Sequence, residues 1–298
     1  MSATVTETEA VTTRTAAPAR PARRRRRPHI GANVIAIVFS VVWVFPVYWM
    51  LITAFKPRSD VMTPTPQFLP MHPTLENFIN AVTKTNFLLN LRNSIIVVGC
   101  AIVFAMLIAL FASAALSRFR FRGRRTIMVL ILAVQMLPGA ALLIPQFLIF
   151  NDLGLLNKYI GLILAYVAAV LPFSIWSLRG FFVTIPVEVE EAAMMDGAGT
   201  WTILWKVLFP LVIPGLISTS IFGFITAWNE YILAYTFMKD TTMYTLPVWL
   251  VSFAIPNQPV DYGGQMAASL LFSLPVVVFF LIIQRHLVTG MSAGAVKG

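Results

Sequence analysis

The chain has 298 residues, of which 58% are hydrophobic and 11% are charged, and its formal net charge is +10 at pH 7. A soluble domain carries about 25% charged residues, so this composition excludes an ordinary soluble protein and indicates an integral membrane protein. The basic residues lie between and beside long apolar runs, where they orient a membrane chain, so we expect no nucleic-acid partner.

Residues 1–29 are rich in Thr, Ala, Pro and Arg and show no apolar periodicity, which predicts a disordered basic cytoplasmic tail. The five arginines at 23–27 precede an apolar run, as they do in a signal peptide. That run is too long for a signal core and contains no small-residue cleavage site. We therefore expect an uncleaved first span.

Six apolar runs follow one another along the chain, each without Asp, Glu, Lys or Arg. A helix needs about 20 apolar residues to cross the hydrocarbon core, whereas barrel strands are shorter and alternate in polarity. The sequence therefore predicts an all-α fold, a polytopic membrane bundle of six transmembrane helices within residues 30–289. The runs lie near 30–55, 93–116, 127–150, 159–178, 207–229 and 266–284.

The Lys and Arg residues are distributed unequally between the two sides of the membrane. With the N-terminus in the cytoplasm, 16 of the 22 Lys and Arg residues lie on the inner side and 6 on the outer side. Cytoplasmic loops of membrane proteins carry such an excess. We expect a multi-pass protein of the cytoplasmic membrane with both termini in the cytoplasm.

The second run places Ala101, Ala105, Ala109 and Ser113 four residues apart, on one face of a helix. Small side chains on one face let a neighbouring helix come close, which is how helices associate where lipid offers no hydrophobic drive. The alternative is that alanine is merely frequent in this run. Prolines in the third to sixth runs predict bent helices, because proline removes a backbone donor.

The loop after the fourth run is unusually acidic and is predicted to form two short cytoplasmic helices joined by a turn. Negative charge near a helix start favours the helix macrodipole, and Gly197 and Gly199 supply a permissive backbone for the turn. Four of the 12 acidic residues lie within nine positions of this loop: Glu188, Glu190, Glu191 and Asp196.

The second of these short helices is predicted to begin with Thr200 as its N-cap. Its apolar residues are spaced i, i+3, i+4 and i+7 and form one stripe. Such a stripe in the cytoplasm indicates a docking element for a groove on a partner. The alternative is a helix that lies flat on the membrane interface beside a solvated acidic face. The stripe consists of Trp201, Leu204, Trp205 and Leu208.

The segment EEAAMMDGAGTWTILWKVLFP is similar to the EAA loop of ATP-binding-cassette (ABC) importer permeases. Residues 151–164, 171–193, 227–234 and 290–298 resemble the carbohydrate, maltose-transporter-like branch of that family. The likeness covers nearly the whole chain from the first span onward, and it implies the type I ABC importer permease fold. Val207 stands where the family pattern has Ile, and Phe209 where it has Leu. The motif positions are Glu191, Ala192, Ala193, Gly197, Val207, Phe209 and Pro210.

The resemblance implies that residues 180–206 form a coupling loop whose elbow sits in a cleft of a cytoplasmic ATPase. Glu191 would pair with a basic group there, and Ala192 and Ala193 would allow close approach. Asp196 would belong to the same contact, and Gly197 would make the turn. ATP-driven closure of two ATPases would then rock the bundle between inward-facing and outward-facing states.

The nucleotide site is expected on another chain, because this sequence has no G-x-x-x-x-G-K-[ST] phosphate loop. We expect no catalytic residues and no cofactor in this chain, with ATP and Mg bound by the partner ATPase. His29, His72 and His286 lack metal-ligand spacing, so no metal site is predicted. The resemblance implies four kinds of partner: a second, homologous permease in a heterodimer, two ABC ATPase subunits, an extracellular solute-binding protein and a sugar.

Glu230 is the carboxylate closest to the interior of an apolar run, and ionisable groups at membrane depth are usually functional. With Trp228, Asn229 and Tyr231 it is predicted to line a sugar path, because sugars are held by aromatic faces and hydrogen-bonding side chains. The alternative is a hydrated interfacial glutamate among belt aromatics.

Two further segments are open to two interpretations each. The outer loop 239–265 either reaches into the sugar cleft of the binding protein or caps the bundle. The tail 290–298, with Gly294 and Lys297, either inserts between the ATPases, as the resemblance implies, or is a frayed terminus.

These features discriminate among three function classes. An ion-coupled secondary transporter needs ionisable groups at membrane depth, and the six runs offer essentially none beyond Glu230. A membrane enzyme needs paired carboxylates, a His–Ser pair or an HExxH motif, which the runs lack. We therefore expect the permease subunit of an ABC importer that moves a mono- or oligosaccharide across the cytoplasmic membrane.

Overall fold

The structure of the chain is a computed structural model that describes residues 30–253 and 261–292. The predicted tail 1–29, the tail residues Gly294 and Lys297, and part of the outer loop lie outside the described residues. In chain order the helices are α1 (Ile30–Ala54), α2 (Arg58–Val61), α3 (Glu76–Thr83), α4 (Phe87–Arg118), α5 (Arg124–Gln135), α6 (Gly139–Asp152), α7 (Tyr159–Thr184), α8 (Glu188–Met195), α9 (Thr200–Ile203), α10 (Phe209–Trp228), α11 (Ile232–Phe237), α12 (Leu246–Val251) and α13 (Tyr262–Ser292).

The chain divides into two units, Met1–Phe45 and Pro46–Gly298. The described part of the first unit is the beginning of α1, whose large apolar side chains are exposed. The second unit contains all the remaining helices, together with a π-helical stretch at Leu204–Leu208 and a short 3₁₀ turn at Thr241–Met243. The sites described below lie entirely within this second unit.

Five helices in the described part of the chain are long and apolar enough to cross a membrane. They coincide with the first, second, fourth, fifth and sixth predicted runs, so the prediction of membrane-spanning helices is confirmed for these. The last four of these helices begin before or end after their apolar runs, because a helix satisfies its own backbone hydrogen bonds wherever it continues. The five are Asn33–Ala54, Phe87–Arg118, Tyr159–Thr184, Thr200–Trp228 and Tyr262–Gln284.

The third predicted run forms a bent pair of helices, and the bend that its prolines predict is a sharp break. It is split into α5 and α6, which meet at an angle of 100°. Pro138 has no N–H to donate to Val134, and a residue before proline is pushed out of the helical region. The chain ends α5 with tighter bonds instead, from Met136 N–H to Ala133 O at 3.1 Å and from Leu137 N–H to Val134 O at 3.2 Å.

The centre of the bundle is the long contact between α4 and α7, against both of which α10 packs. The predicted small-residue face of α4 lies in this centre and is confirmed: Ala101 is 1% exposed, and Ala105, Ala109 and Ser113 are fully buried. Because these side chains are small, the backbones of neighbouring helices come close, as expected where packing in place of water exclusion holds helices together.

Gly223 provides a second close approach, between α10 and the α4–α7 pair. A Cβ at this position would lie 2.9 Å from Val170 Cγ1 and 3.1 Å from Ile102 Cδ1. A side chain at this position would have to displace the Val170 and Ile102 side chains or the helices that carry them. Small residues on α4 and α10 therefore fix the spacing of the three central helices.

A polar cluster attaches the loop that follows α11 to the first two turns of α4. The buried Asn93 donates from Nδ2 to Thr242 O at 2.8 Å and to Tyr244 O at 2.9 Å, and it accepts a hydrogen bond from Tyr159 Oη at 2.7 Å. The next residue, Ser94, accepts from Leu246 N–H at 2.7 Å. The bonds to Thr242, Tyr244 and Leu246 hold this loop against α4.

Candidate coupling elbow and transport cavity

The acidic loop forms the elbow that the sequence predicts, comprising α8, the turn at residues 196–199 and α9. At the end of α8, Gly197 has a φ of +81°. Its N–H donates to Met194 O at 3.0 Å, and Ala198 N–H donates to Ala193 O at 3.0 Å. This pair of bonds is a Schellman motif, which ends a helix and requires a left-handed residue, normally glycine, at this position. The predicted role of Gly197 is confirmed.

Two local predictions for the second half of the elbow were wrong. Gly199 has an extended backbone that any residue adopts, and it occupies the N-cap of α9 in place of Thr200, which makes no side-chain cap bond. α9 is also not a separate short helix, because it continues through the π-helical stretch at Leu204–Leu208 into α10. Pro210 follows that stretch and cannot donate to the carbonyl four residues back, a condition under which helices widen or bend.

The tip of the elbow presents an exposed surface. Glu191, Ala192 and Asp196 are exposed, and Ala193 is half-buried. Two large apolar side chains join this surface, because Met195 is 89% exposed and Trp201 is 69% exposed. Exposed apolar groups rimmed by polar ones mark interaction sites, so the surface of the elbow has the composition of a docking site.

The remaining motif positions lie at the root of the elbow, where it enters the bundle. Phe209 is 7% exposed, and its ring centroid lies 5.4 Å from that of Phe111 and 4.9 Å from that of Trp205. Val207 is half-buried, and Pro210 is exposed. These three residues join the elbow to α10 and do not belong to its exposed tip.

The predicted stripe on the second helix does not form a single exposed face. Trp201 and Trp205 are exposed, whereas Leu208 is 3% exposed and packs in the core. The π-helical stretch between them changes the angular spacing of residues, because a π turn is wider than an α turn. Only the beginning of the stripe therefore faces outward.

A buried ion pair, which sequence reasoning missed, connects the elbow to the bundle. Arg118, the last residue of α4, places its Nε 2.5 Å from Glu190 Oε1, and the two side chains are only 14% and 10% exposed. Arg118 also donates from Nη2 to Ile185 O at 3.0 Å, at the end of α7. The guanidinium thus joins α4, α7 and α8. The signal that could have indicated this pair in the sequence is an acidic residue on the face of α8 that points away from solvent.

A cavity of about 590 Å³ lies among α5, α6, α7, α10 and α11. Its walls are mostly apolar, with the ring centroids of Phe173 and Phe222 only 4.0 Å apart. Ligand cavities of this size usually combine apolar walls with a few convergent polar groups. The polar side chains that line it are Gln135, Gln146, Thr226 and Glu230.

Two of these polar groups have amides that are free for a ligand. Gln135 and Gln146 line the cavity, and within the described chain neither side-chain amide makes a hydrogen bond. Sequence reasoning missed both residues, although an amide inside an apolar run is itself a signal, because polar groups at membrane depth are costly and mark pathways.

Glu230 lines the cavity, but its carboxylate is already engaged. Oε1 accepts from Leu233 N–H at 2.9 Å, and Oε2 accepts from Ala234 N–H at 3.1 Å. The side chain therefore caps the N-terminus of α11, where negative charge is favoured. A carboxylate bonded at both oxygens does not favour the alternative of an ion-coupled transporter, which would need this group to bind and release a cation.

The three neighbours predicted to join Glu230 in a path do not line this cavity. Trp228 is 1% exposed and packs with ring centroids 5.4 Å from Phe224 and 6.0 Å from Phe272. Trp228 is the last residue of α10 and its side chain faces the core, so its place in the path stays a prediction. Asn229 is exposed, and Tyr231 stacks on Tyr235 at 5.5 Å.

The model of the binding-protein-dependent transport system inner membrane component matches residues 101–293. The chain belongs to this family. The match covers the elbow, the cavity and the α4–α7 centre, and the predicted family is confirmed.

Two relatives and one solved structure are similar over most of their length. The chain is 45% identical over 269 residues to the diacetylchitobiose uptake system permease protein DasC of Streptomyces coelicolor, covering 90% of this chain and 97% of that protein. It is 34% identical to the trehalose/maltose transport system permease protein MalG of Thermococcus litoralis, covering 88% and 95%. A bacterial ABC transporter involved in the import of the acidic polysaccharide alginate aligns with a TM-score of 0.76 and 25% identity, covering 86% and 95%. The all-α fold of ABC importer permeases is confirmed.

Removing one member of the buried ion pair is expected to destabilise the protein. Glu190→Ala leaves the Arg118 charge buried without its partner, which should lower the free energy of unfolding by about 3 kcal/mol. The measurement is unfolding of the detergent-solubilised protein together with the subunits that copurify with it.

Two further variants test whether the pair itself is responsible. Glu188→Ala removes an exposed carboxylate of the same helix and should cost less than about 0.5 kcal/mol. Arg118→Met with Glu190→Leu should recover most of the loss, because no charge then stays buried. Equal losses for Glu188→Ala and Glu190→Ala would contradict the structural role of the pair.

Proposed function

We propose that the chain is a permease subunit of an ATP-driven importer of a mono- or oligosaccharide, and that the elbow receives the work of the ATPases. The observation that carries this proposal is the two-sided construction of the elbow. Its tip is exposed at Glu191, Ala192 and Asp196, while Glu190 on the opposite side is held by the bundle. Because the elbow is exposed on one side and anchored on the other, it is suited to transmit a displacement of its tip to the helices of the bundle.

A displacement of the elbow by the ATPases would reach the bundle by two routes. The Arg118–Glu190 pair carries it to the inner ends of α4 and α7. The continuous backbone of α9, the π-helical stretch and α10 carries it to the wall of the cavity. Packed helices move as rigid bodies, so displacement of the elbow would alter the spacing between α10 and α7, both of which line the cavity.

The cargo is proposed to be a sugar, held by the free amides and aromatic faces of the cavity. Amide groups pair with hydroxyls in either direction, because each has both donors and acceptors, and the Phe173 and Phe222 rings offer flat apolar surfaces. The Streptomyces and Thermococcus relatives are named as permeases of diacetylchitobiose and of trehalose/maltose systems, which supports a sugar of one or a few units.

The partners follow from the family and from what this chain lacks. A member of a binding-protein-dependent system works with a solute-binding protein, which we place on the outer side, where loop 239–265 would meet it. ATP and Mg would be bound by two ATPase subunits under the elbow. The second half of the pore would come from a second, homologous permease in a heterodimer.

The proposed orientation places the elbow and both termini in the cytoplasm. It is supported by the excess of basic residues on that side, 16 against 6. The inner side then contains the 118–124 turn and the elbow, and the outer side contains the polar cluster around Asn93. This arrangement puts the elbow within reach of a cytoplasmic ATPase.

Reversing the charge at the tip of the elbow is expected to uncouple the transporter. In Glu191→Lys the proposed charge-assisted bond to the ATPase is replaced by repulsion, so ATP hydrolysis stimulated by the sugar-loaded binding protein should fall at least about tenfold. The measurement is hydrolysis by the complete transporter in proteoliposomes. Glu188→Lys, an equally exposed reversal on the same helix, should retain at least half of the stimulation. Full stimulation in Glu191→Lys would refute the coupling role.

Removing a free amide from the cavity is expected to impair transport without uncoupling the ATPases. Gln146→Leu deletes a hydrogen-bonding group from the wall, so sugar uptake should fall about fivefold to tenfold while hydrolysis of ATP continues. The control is Gln284→Leu, which makes the same exchange in α13 away from the cavity. Equal uptake by the two variants, measured with radiolabelled sugar, would show that the cavity is not the path.

A further inference from the structure

A second cavity, of about 440 Å³, lies at the inner ends of α5 and α7. It differs from the transport cavity in its charge, because three of its six lining residues are arginines and none is acidic. Such a concentration of positive charge in one concave site needs a compensating anion or water. The lining residues are Phe121, Gly123, Arg124, Arg125, Met128 and Arg179.

No side chain in the described part of the protein neutralises these arginines. The ion pairs found there join Arg118 to Glu190 and His72 to Asp60. The hydrogen bonds of the cavity arginines go to backbone carbonyls, from Arg124 Nη2 to Ser117 O at 3.3 Å and from Arg179 Nε to Leu116 O at 3.4 Å. Each guanidinium has five N–H donors, so most of the donors in this cavity are open.

The position of Arg179 makes its charge costly. The side chain is half-buried and lies five residues before the end of α7 at Thr184, or about 7.5 Å inside the helix end. On the elbow, the buried carboxylate of Glu190 is already held by Arg118. An arginine at this depth without a carboxylate is best compensated by an anion that enters the cavity.

The cavity is aligned with the transport cavity along the groove between α5 and α7. Arg179 follows Pro172 by seven residues and Met128 precedes Gln135 by seven, which is nearly two helical turns or about 10 Å in each case. Pro172 and Gln135 line the transport cavity. In the proposed orientation the cationic cavity therefore lies at the cytoplasmic mouth of the same groove.

We propose that this cavity binds a phosphate group. Guanidinium groups match phosphate oxygens in a two-pronged geometry and are weakly hydrated, so they bind phosphate better than lysine would. The arginines come from two helices and can surround a tetrahedral anion, whereas a carboxylate would use only one of them. Phe121 and Met128 provide apolar contact for the carbon atoms attached to the phosphate. The phosphate belongs either to an anionic phospholipid of the inner leaflet or to a soluble phosphate ester.

The test compares two double variants that remove the same charge from the same region. Arg124→Gln with Arg179→Gln strips the cavity, whereas Arg120→Gln with Arg122→Gln removes two arginines of the adjacent turn that do not line it. Arg125→Gln, at an exposed position, serves if the first double variant fails to fold. All are purified with the subunits that copurify with the chain.

The first arm measures lipid. Native mass spectrometry counts the phosphatidylglycerol molecules retained from nanodiscs of phosphatidylglycerol and phosphatidylcholine. The second arm measures soluble ligands, by the shift in unfolding temperature with glycerol 3-phosphate and with inorganic phosphate. Binding in the first arm assigns the phosphate to a lipid, and binding in the second arm assigns it to a soluble ester.

The expected result is binding in one arm that weakens about fivefold per arginine removed from the cavity, and that changes less than twofold in the control pair. Equal weakening in both pairs would overturn the proposal, because diffuse charge would then explain the binding. Absence of binding in both arms would also overturn it. A third contrary result has two parts: Arg179→Cys cross-links to an acidic segment of a partner subunit, and removal of the cavity arginines leaves phosphate binding unchanged. Neither readout requires transport, so this proposal and the proposed function fail separately.

Discussion

The ion pair between Arg118 and Glu190 joins the two parts of the chain on which the proposed mechanism depends. One part is an exposed elbow, and the other is a membrane bundle. A charged pair that is nearly buried is a costly way to fasten two elements, but it has a useful property here. It holds α8 at a fixed position against α4 while leaving the other face of the same short helix free.

The bundle is constructed so that it transmits displacement. Small residues on α4, together with Gly223 on α10, let three helices pack closely, and closely packed helices shift as units and do not deform. Between the elbow and α10, the described chain departs from regular α-helix at the π-helical stretch Leu204–Leu208. The transport cavity and the cationic cavity both lie along α7. Because α10 also lines the transport cavity, a movement of α10 against α7 changes the wall of that cavity.

Much of the fold was predictable from local sequence, and the failures have physical causes. Charge-free runs of sufficient length specify spans, and five of the six formed as single helices. The break at Pro138 was not predictable from proline alone, since Pro145, Pro172 and Pro214 lie inside continuous helices. In the site, the role of Gly197 follows from a local rule about helix ends. The Arg118–Glu190 pair joins residues 72 positions apart, and it becomes visible only when α4 and α8 are placed in space.

The central claim is that the tip of the elbow contacts an ATPase in the cytoplasm, and cross-linking tests it most directly. A photoreactive benzoylphenylalanine replaces Met195, which is 89% exposed at the tip, or Met136, which is 85% exposed at the break between α5 and α6. Irradiation of the complete transporter in membranes should join position 195 to the ATPase subunit and should not do so from position 136. Adducts of position 195 with the extracellular binding protein, or none with the ATPase, would contradict the account.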